Sequence, residues 1–547
     1  MGRKIMSKMN LSNSAAEAVF AYHERSKHRP ERYAPGPGYL DWSDQPNPFR
    51  RFSGCAKVPL PRPGTELTVP FAQLDHSETI PGQPLDLSSL GLLLELSFGL
   101  SAWKQYGSDR WALRCNPSSG NLHPTEAYVI HTADSFLPAG VYHYVSHDHA
   151  LEKRCTFSLQ QPGEACFIAL TSIHWREAWK YGERAYRYCQ HDIGHALGAL
   201  RYAAAVLGWS LELMAGSGDE ELSRLLGLDR QEDFHELEEE SPDLVCRLRM
   251  PHDTAESVPV AHLLENVRQA EWHGHADRLS GFHRHRWPVI DEIAQAARKP
   301  NTGEPDYRPP THSFIPSACT ETAAGILRQR RSAQRFDAVT YLPQADFERM
   351  LSAVGAVRPI PFDVWHWPPR VHLLLFVHRV ENLEPGLYLL PRSHEAELGL
   401  RKAIQEAFEW VAVTYGEEAP PLYRLISADC RRAAKIISCH QDIAGDSAFS
   451  LGMLAEFQRP VSEAPWRYRH VFWETGLIGQ ALYLEAEAAG VRGTGIGCFF
   501  DDSVHGLLGL QDNAFQSLYH FTVGGPVEDL RLQSLPPYAH LETQARE

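Results

Sequence analysis

The sequence lacks three things that would narrow its function quickly: a long apolar run, paired cysteines and an excess of positive charge. Its longest apolar stretches, such as Leu90–Leu94, fall far short of the ~18–20 residues of a membrane helix. Residues Met1–Asn13 carry basic side chains without an apolar segment behind them, so no secretory signal is expected. Met6 stands where an acylation motif starting at Gly2 requires Ser or Thr. The 10 cysteines are scattered singly with no CxxC pair, which in a chain of 547 residues reads as reduced, cytoplasmic thiols. The densest histidine run (His273, His275, His283, His285) has neither a neighbouring cysteine nor zinc-site spacing, so no metal is expected. Lys and Arg number 53 against 68 Asp and Glu, a formal charge of −15. Nucleic acids and anionic membranes need counter-charge and are not expected partners, although a local basic pocket for one phosphate is compatible with this balance.

What is present is a soluble-domain composition, 43% hydrophobic and 22% charged, in a chain too long for one core. An internal repeat organises it. A shift of 282 residues sets Tyr186-Arg187 on Tyr468-Arg469, Gly194 on Gly476, Gly208 on Gly490 and Leu225–Leu228 on Leu507–Leu510. Over 43 positions this gives 12 identities, against roughly three expected from ordinary residue usage. Other fragments agree at other offsets: Arg25-Ser26-x-x-Arg29 with Arg331-Ser332-x-x-Arg335, and Gly140–Tyr142 with Gly386–Tyr388. The proline-rich, polar stretch 299–316 reads as a linker, giving units 1–298 and 317–547. Periodic helices (Ile193–Leu207, Leu477–Ala489) alternate with apolar strands (Ala127–His131, Val371–Val377). The expected class is α+β, a central sheet flanked by helices, twice in tandem.

Four motifs carry candidate chemistry. Arg330-Arg331-Ser332-Ala333-Gln334-Arg335 offers guanidinium forks and a hydroxyl suited to phosphate oxygens; a solvated charge run is the alternative. The loop Arg114–Pro124, with Pro117, Ser118, Ser119, Gly120 and Asn121 at its centre, presents hydroxyls, an amide and main-chain N–H groups fit for a flat heteroaromatic ring, or is an ordinary turn. Gly493-Thr494-Gly495-Ile496-Gly497 lets backbone approach a ligand, or is a glycine-rich turn between helix and strand; it lacks the dinucleotide fingerprint. Its counterpart Leu211–Ala215 has no glycine. Lys180-Tyr181 occurs in the first copy only, where the shift sets Ser462-Glu463 against it. A desolvated lysine beside a tyrosine is a candidate proton-transfer pair, or an exposed lysine beside a packed ring.

Together these motifs resemble the FMN-dependent nitroreductase superfamily, and within it the SagB/ThcOx-type dehydrogenases, some of which oxidise peptide azolines to azoles. The resemblance spans nearly the whole chain, once per half. It rests on Arg330–Arg335, Pro117–Asn121, Lys180-Tyr181-Gly182 with Tyr186-Arg187, and Gly493–Gly497 followed by Gly524-Gly525-Pro526. Members are usually homodimers with FMN at the subunit interface. The resemblance therefore implies an intramolecular pseudo-dimer with one good FMN site assembled from both halves, and further dimerisation of the whole chain is open. Where the second half should repeat the Pro-Ser-Ser-Gly-Asn loop it has Pro359–Pro369, with Trp365 and Trp367, so one degenerate site is expected.

By the same resemblance Arg330, Arg331, Ser332, Arg335 and Arg531 hold the phosphate. Pro117, Ser118, Ser119 and Asn121 contact the ring and ribityl chain. Glu474, Thr475 and Gly476 form the helix start near the flavin, with Gly493, Thr494, Gly495 and Gly497 nearby. Lys180 and Tyr181 are the proton acceptor. Gln334 stands where the usual start has its last arginine, with Arg335 one residue late. The implied activity is hydride transfer from a small molecule or modified peptide to FMN. The alternatives are NAD(P)H-dependent reduction of nitro compounds or quinones, and a flavin-free binding protein.

Overall fold

The structure, a computed structural model, describes residues 2–62, 67–157, 164–251, 253, 260–305, 307, 314–355, 360–414 and 421–544. Of the expected linker, 306 and 308–313 lie outside these, as does Pro359.

After a helix α1 (Gly2–Arg25), the first half builds α2 (Leu87–Phe98) and a hairpin of β1 (Leu100–Tyr106) and β2 (Asp109–Arg114). Its main sheet comprises β3 (Thr125–His131), β4 (Gly140–Val145), β5 (Ala150–Thr156), β6 (Cys166–Ser172), β7 (Ser210–Leu213) and β8 (Ser241–Arg249). Between β6 and β7 lie α3 (His174–Tyr181) and the long α4 (Ala185–Val206), and α5 (Asp219–Leu226) follows β7. The second half has α6 (Ala323–Gln329), α7 (Gln344–Ala353), β9 (Val371–Val377), β10 (Gly386–Leu390), β11 (Leu422–Ser427), β12 (Phe449–Glu456), α8 (Arg467–Ala488), β13 (Arg492–Ile496), α9 (Asp501–Leu508) and β14 (Phe515–Gly524), then a short β15 (Gln533–Leu535).

The two main sheets have one topology. Six strands are shared, in the order β5-β4-β3-β6-β8-β7 in the first and β11-β10-β9-β12-β14-β13 in the second; short strands Lys57–Pro59 and Glu271–Trp272 add to β5 and Val411–Val413 adds to β11, with every pair antiparallel. Every residue of β3, β6 and β9 is buried. Apolar side chains therefore occupy both faces of these strands, as expected for a sheet covered by helices on each side. The expected match of Gly140–Tyr142 with Gly386–Tyr388 falls on the starts of β4 and β10, which hold the same place in their sheets.

The long helices α4 and α8 cross at Gly194 and Gly476. A Cβ on Gly194 would lie 2.1 Å from the Trp473 carbonyl oxygen and 2.8 Å from Gly476 Cα, so the crossing needs glycine on both sides. Around it the contacts obey the 282-residue shift reciprocally. Arg187 donates to Asp501 (2.6 Å), and Arg469 donates to Asp219 through two nitrogens (2.9 Å each). Tyr186 stacks on its counterpart Tyr468 at 6.4 Å. An interface in which residue i meets j′ and j meets i′ has two-fold character; here both halves of it belong to one chain. Burial alone would raise the Asp501 carboxyl, but Arg184 and Arg187 hold it well below the usual range. Removing one partner of such a buried pair typically costs ~3–5 kcal/mol.

Exchange at the ends ties the halves further. β15 of the second half pairs with β1 of the first, and Tyr538 Oη accepts from Leu100 N (2.9 Å). One expectation is corrected by this arrangement. Arg25–Arg29 is no counterpart of the Arg331–Arg335 segment: it ends α1 and is spent on ion pairs, Arg25 with Glu183 (2.5 Å), Lys27 and Arg29 with Asp502 (2.8 and 3.0 Å). The segment preceding α2 is the 3₁₀ turn Phe71–Thr79, which contains no arginine.

Candidate active site

A cleft of about 750 Å³ opens between the halves, within the range of small-molecule sites. The first half supplies the loop 116–121, Tyr181 at the end of α3, and Tyr188 and Asp192 on α4; the second supplies Arg330–Gln334, Tyr483 on α8, and Thr494–Cys498.

The loop is locked by its own bonds. Gly120 and Asn121 both have φ 59° and His123 has φ 52°, left-handed conformations that are uncommon for residues with a Cβ and that persist only where surroundings hold them. Asn121 Nδ2 donates to the Ala112 carbonyl (2.9 Å), and Ser118 Oγ accepts from His123 N (2.8 Å). Ser119 donates to the Asp192 carboxylate from its backbone N (3.1 Å) and its Oγ (2.9 Å). Burial pushes the Asp192 carboxyl up to about 7, against the lowering by these Ser119 bonds. Gly120 is required by its neighbour, because a Cβ there would lie 2.3 Å from Tyr181 Oη.

The facing wall is cationic. Arg330 is buried, donates to the carbonyls of Cys115 (3.2 Å) and Arg114 (3.0 Å), and lies over the Tyr483 ring at 5.1 Å. Arg331 donates to the carbonyls of Ser101 (2.9 Å) and Arg328 (2.8 Å). Among the described residues neither guanidinium makes an ion pair, and burial lowers both, Arg331 to about 10. Lys104 of β1 lines the same cleft. Ser332 Oγ and Tyr483 Oη share a hydrogen bond of 2.8 Å, and Gly495 N donates to the same phenol oxygen (2.8 Å).

The cleft therefore brings together Pro117, Ser118, Ser119, Asn121, Tyr181, Arg330, Arg331, Ser332, Thr494, Gly495 and Gly497. Other expected site residues lie elsewhere. Gln334 lines the cleft, whereas Arg335 is exposed outside it. Arg531 is exposed and pairs with Asp529 (2.6 Å). Lys180 is beside the cleft but not in its wall: Nζ lies 5.3 Å from the Tyr181 ring and 5.8 Å from Trp42. Glu474, Thr475 and Gly476 are on α8, away from this cleft. Glu474 accepts from Arg370 N (3.0 Å) and pairs with Arg392, Thr475 Oγ1 bonds His191 Nδ1 (2.8 Å), and Gly476 makes the helix crossing.

Gly493–Gly497 is no turn. Its first four residues belong to β13, paired with β14, and the glycines serve aromatic packing. An added Cβ would lie 2.6 Å from Phe521 at Gly493, 1.8 Å from Tyr519 Oη at Gly495 and 2.4 Å from Tyr188 at Gly497. Sequence reasoning missed Asp192, Tyr483, Lys104 and Asn116. A signal for Asp192 was available, since the 282-residue shift maps Glu474 onto it.

A second, smaller cavity of about 280 Å³ lies at Glu474, lined by Trp365, Trp367, Arg370 and His470, with Pro305 and Tyr307 of the expected linker. Elsewhere the linker is pinned to the loop after β7: Thr302 N donates to the Gly216 carbonyl (2.9 Å) and Gly216 N to Glu304 (2.8 Å). Among the described residues no set of three or more His, Cys, Asp or Glu side chains is placed to hold a metal ion, and no helix is long and apolar enough to cross a membrane.

Compared with known proteins, the chain is similar over 93% of its length, and 99% of the other's, to a protein of Anabaena variabilis described as a nitroreductase, at 21% identity and a TM-score of 0.67. A Ralstonia eutropha protein with the same description aligns over 41% of this chain and 89% of its own, at 19% identity and a TM-score of 0.27. The E. coli microcin synthetase McbBCD complex with truncated pro-MccB17 contains a chain aligned over 44% of this one and 94% of its own, at 20% identity and a TM-score of 0.26. No curated protein matches the sequence. The model of the nitroreductase family matches residues 107–236 and 327–525, more than half of the chain and once in each half. With its duplicated sheets and shared cleft, the chain belongs to the nitroreductase family.

Proposed function

We propose that the chain is an FMN-dependent oxidoreductase with one working site, the cleft at Asp192, and that it removes a hydride and a proton from neighbouring atoms of a small molecule or modified peptide, as in azoline-to-azole oxidation. The observation that carries this reading is the pair of buried guanidinium groups of Arg330 and Arg331, which make no ion pair among the described residues (Glu487 accepts from Arg331 N at 3.1 Å, not from its guanidinium), in the wall of a cleft that also holds the rigid loop 116–121. Burying guanidinium groups without counter-charge is costly, and a phosphate supplies that charge bidentately. The buried Asn116 Oδ1, which lines the same cleft without a hydrogen-bond partner, fits the polar edge of a heteroaromatic ring. The residues present thus fit FMN: Arg330, Arg331, Ser332 and Lys104 for its phosphate, Asn116 and Ser118–Asn121 for its ring and ribityl chain. FMN, when bound, is the hydride acceptor, and the protein's share is binding, orientation and electrostatics.

The proton falls to Tyr181, the member of the Lys180-Tyr181 pair in the cleft wall. Burial raises its phenol well above the ordinary value, so at neutral pH it carries its proton. It can accept another group's proton only as the phenolate, which the Lys180 ammonium, with Nζ 5.3 Å from the Tyr181 ring, favours by its charge. Lys180 is therefore a positioning residue, and Tyr181 touches the substrate.

The test is the visible spectrum of the purified protein with released flavin quantified per chain. One FMN per chain is expected. Two would mean that the Glu474 cavity also binds flavin, and none after added FMN would sink the assignment in favour of a flavin-free binding protein. Rapid bleaching by NADPH alone would instead favour a nitro or quinone reductase.

A further inference from the structure

Cys439, in the turn after the helix Arg431–Ile437, and Cys498, in the segment between β13 and α9, come together at the cleft edge. Neither is in a disulfide, and Phe500 N donates to the Ile437 carbonyl (2.8 Å), which lays the segment of Cys498 along the turn of Cys439. Cys439 sits with φ 53° and the following His440 with φ 60°, two consecutive residues in a conformation that usually falls to glycine. Strain of this kind collects at functional positions and needs the surroundings to hold it. Gln441 Nε2 donates to the Cys498 carbonyl (2.9 Å), which pins the turn of Cys439 against Cys498.

Cys498 is also served from the first half. His28 Nδ1 accepts from Ala34 N (2.9 Å), so the imidazole proton is on Nε2. That leaves the Nε2–H for the imidazole's other neighbour, Cys498. Arg184, which donates to the Gly497 carbonyl (3.1 Å), adds positive charge. The other charged and titratable neighbours are Asp501, already held by Arg184 and Arg187, Tyr33, which faces Cys439, and Tyr181 and Tyr188, which stand beside Cys498. The Cys439 thiol, the His28 imidazole and the Arg184 charge beside it hold the Cys498 thiol well below its ordinary range, against the rise that burial brings. Cys498 lines the cleft, so small solutes reach it. The repeat offers no equivalent pair: its shift sets Gly216 against Cys498.

We infer that Cys498 and Cys439 are a peroxide-reactive thiol pair, an attacking and a resolving cysteine, that closes reversibly to a disulfide at the rim of the cleft. In the first step the Cys498 thiolate attacks one oxygen of a peroxide. The O–O bond breaks, hydroxide leaves and takes a proton, and Cys498 becomes a sulfenic acid. In the second, Cys439 loses its proton and attacks that sulfur, which releases the oxygen as water. Two thiols and one hydrogen peroxide give one disulfide and two waters, the two electrons passing from sulfur to oxygen. A flavin reoxidised by dioxygen in the same cleft would make peroxide close by, but the sulfur chemistry needs only the peroxide and stands or falls without the flavin.

The test uses the full chain, with and without FMN, treated with one equivalent of hydrogen peroxide, then alkylated and mapped by mass spectrometry. The expected product is 2 Da lighter, with the Cys439 and Cys498 peptides linked and the link lost on treatment with a thiol reductant. Before oxidation, iodoacetamide at pH 6 should label Cys498 at least tenfold faster than Cys55 or Cys319, the partly exposed thiols that burial raises. C439S should leave a dimedone-reactive sulfenic acid on Cys498, and C498S should leave Cys439 reduced. Labelling of Cys498 no faster than Cys55, or oxidation with both peptides still fully alkylated, would overturn the pair. So would a C439S chain that gives no dimedone adduct while its thermal melt matches the wild type.

Discussion

The cavity at Asp192 and the cavity at Glu474 are related by the shift that superposes the halves, and they differ in what their walls hold. At Asp192 a rigid loop faces two arginines whose guanidinium groups make no ion pair among the described residues. At Glu474 the loop position carries Trp365 and Trp367, the carboxylate is engaged with Arg370 N and Arg392, and part of the expected linker lines the cavity. The segment before α2, in the place of the one before α7, has no arginine. Duplication made two equivalent positions around one crossing, and divergence left the paired arginines at one of them. Within one chain such divergence needs a change in only one copy, whereas in a homodimer each change alters both sites at once.

The largest way to break the comparison is to break the crossing that both cavities share. Gly194→Val puts side-chain atoms where the Trp473 carbonyl and Gly476 Cα already are. Overpacking of this kind typically costs ~1–3 kcal/mol and sometimes more, and at this crossing it would displace backbone in both halves. Thermal denaturation should show a larger loss than substitution of Arg330, Tyr181 or Trp367 brings, with flavin lost as well; an unchanged melt would contradict the crossing.

Next in size is the loss of the arginines. Hydrogen bonds to charged groups contribute ~1.5–3 kcal/mol each, so R330A/R331A should weaken FMN at least about 100-fold in a fluorescence titration. Binding within fivefold of wild type would place the phosphate elsewhere. Tyr181→Phe should keep FMN bound while slowing its reduction by substrate on the order of 100-fold, the scale of a positioned proton-transfer group. Lys180→Ala, acting through Tyr181, should slow it by less. Equal losses in single-turnover kinetics would mean that the amine reaches the substrate itself.

The duplication and the α+β class were legible because helices of equal length with matching glycines leave a shift that is visible without gaps. Arg330–Ser332 and Pro117–Asn121 were legible as local clusters of chemistry. Which helix start faced the cleft was not. The sequence places Asp192 and Glu474 at equivalent positions, and the loop that tertiary packing brings to each decides that Asp192 meets Ser119 while Glu474 meets Arg370. The purpose of Gly495 and Gly497 was hidden for the same reason, since the rings they admit, Tyr519 and Tyr188, come from another strand and from the other half.

Asp192 also marks the comparison in pH. Its folded-state value of about 7 lies above the ~3.9 of an unfolded aspartate. Between those values the folded chain holds a proton that the unfolded chain has released. This contribution to stability is therefore complete below about pH 4 and is lost as pH rises through 7, with a slope of at most ~1.4 kcal/mol per unit. Asp192→Asn should flatten that part of the profile in denaturant titrations between pH 5 and 7.5; an unchanged slope would show that Asp192 is already ionised at pH 5.

The smallest expected effect is the most discriminating. Trp367→Ala changes the wall of the Glu474 cavity, and Trp367 is only partly buried, against Trp365 at 4.9 Å and His470 at 4.3 Å. If the two cavities have parted functionally, flavin content should stay at one per chain and FMN affinity within about twofold of wild type, since nothing in the Arg330 cleft touches this ring. A larger fall would have to travel through α8, which carries His470 and Glu474 at one cavity and Tyr483 at the other. It would mean that the Glu474 cavity still sets the geometry of the cleft that binds.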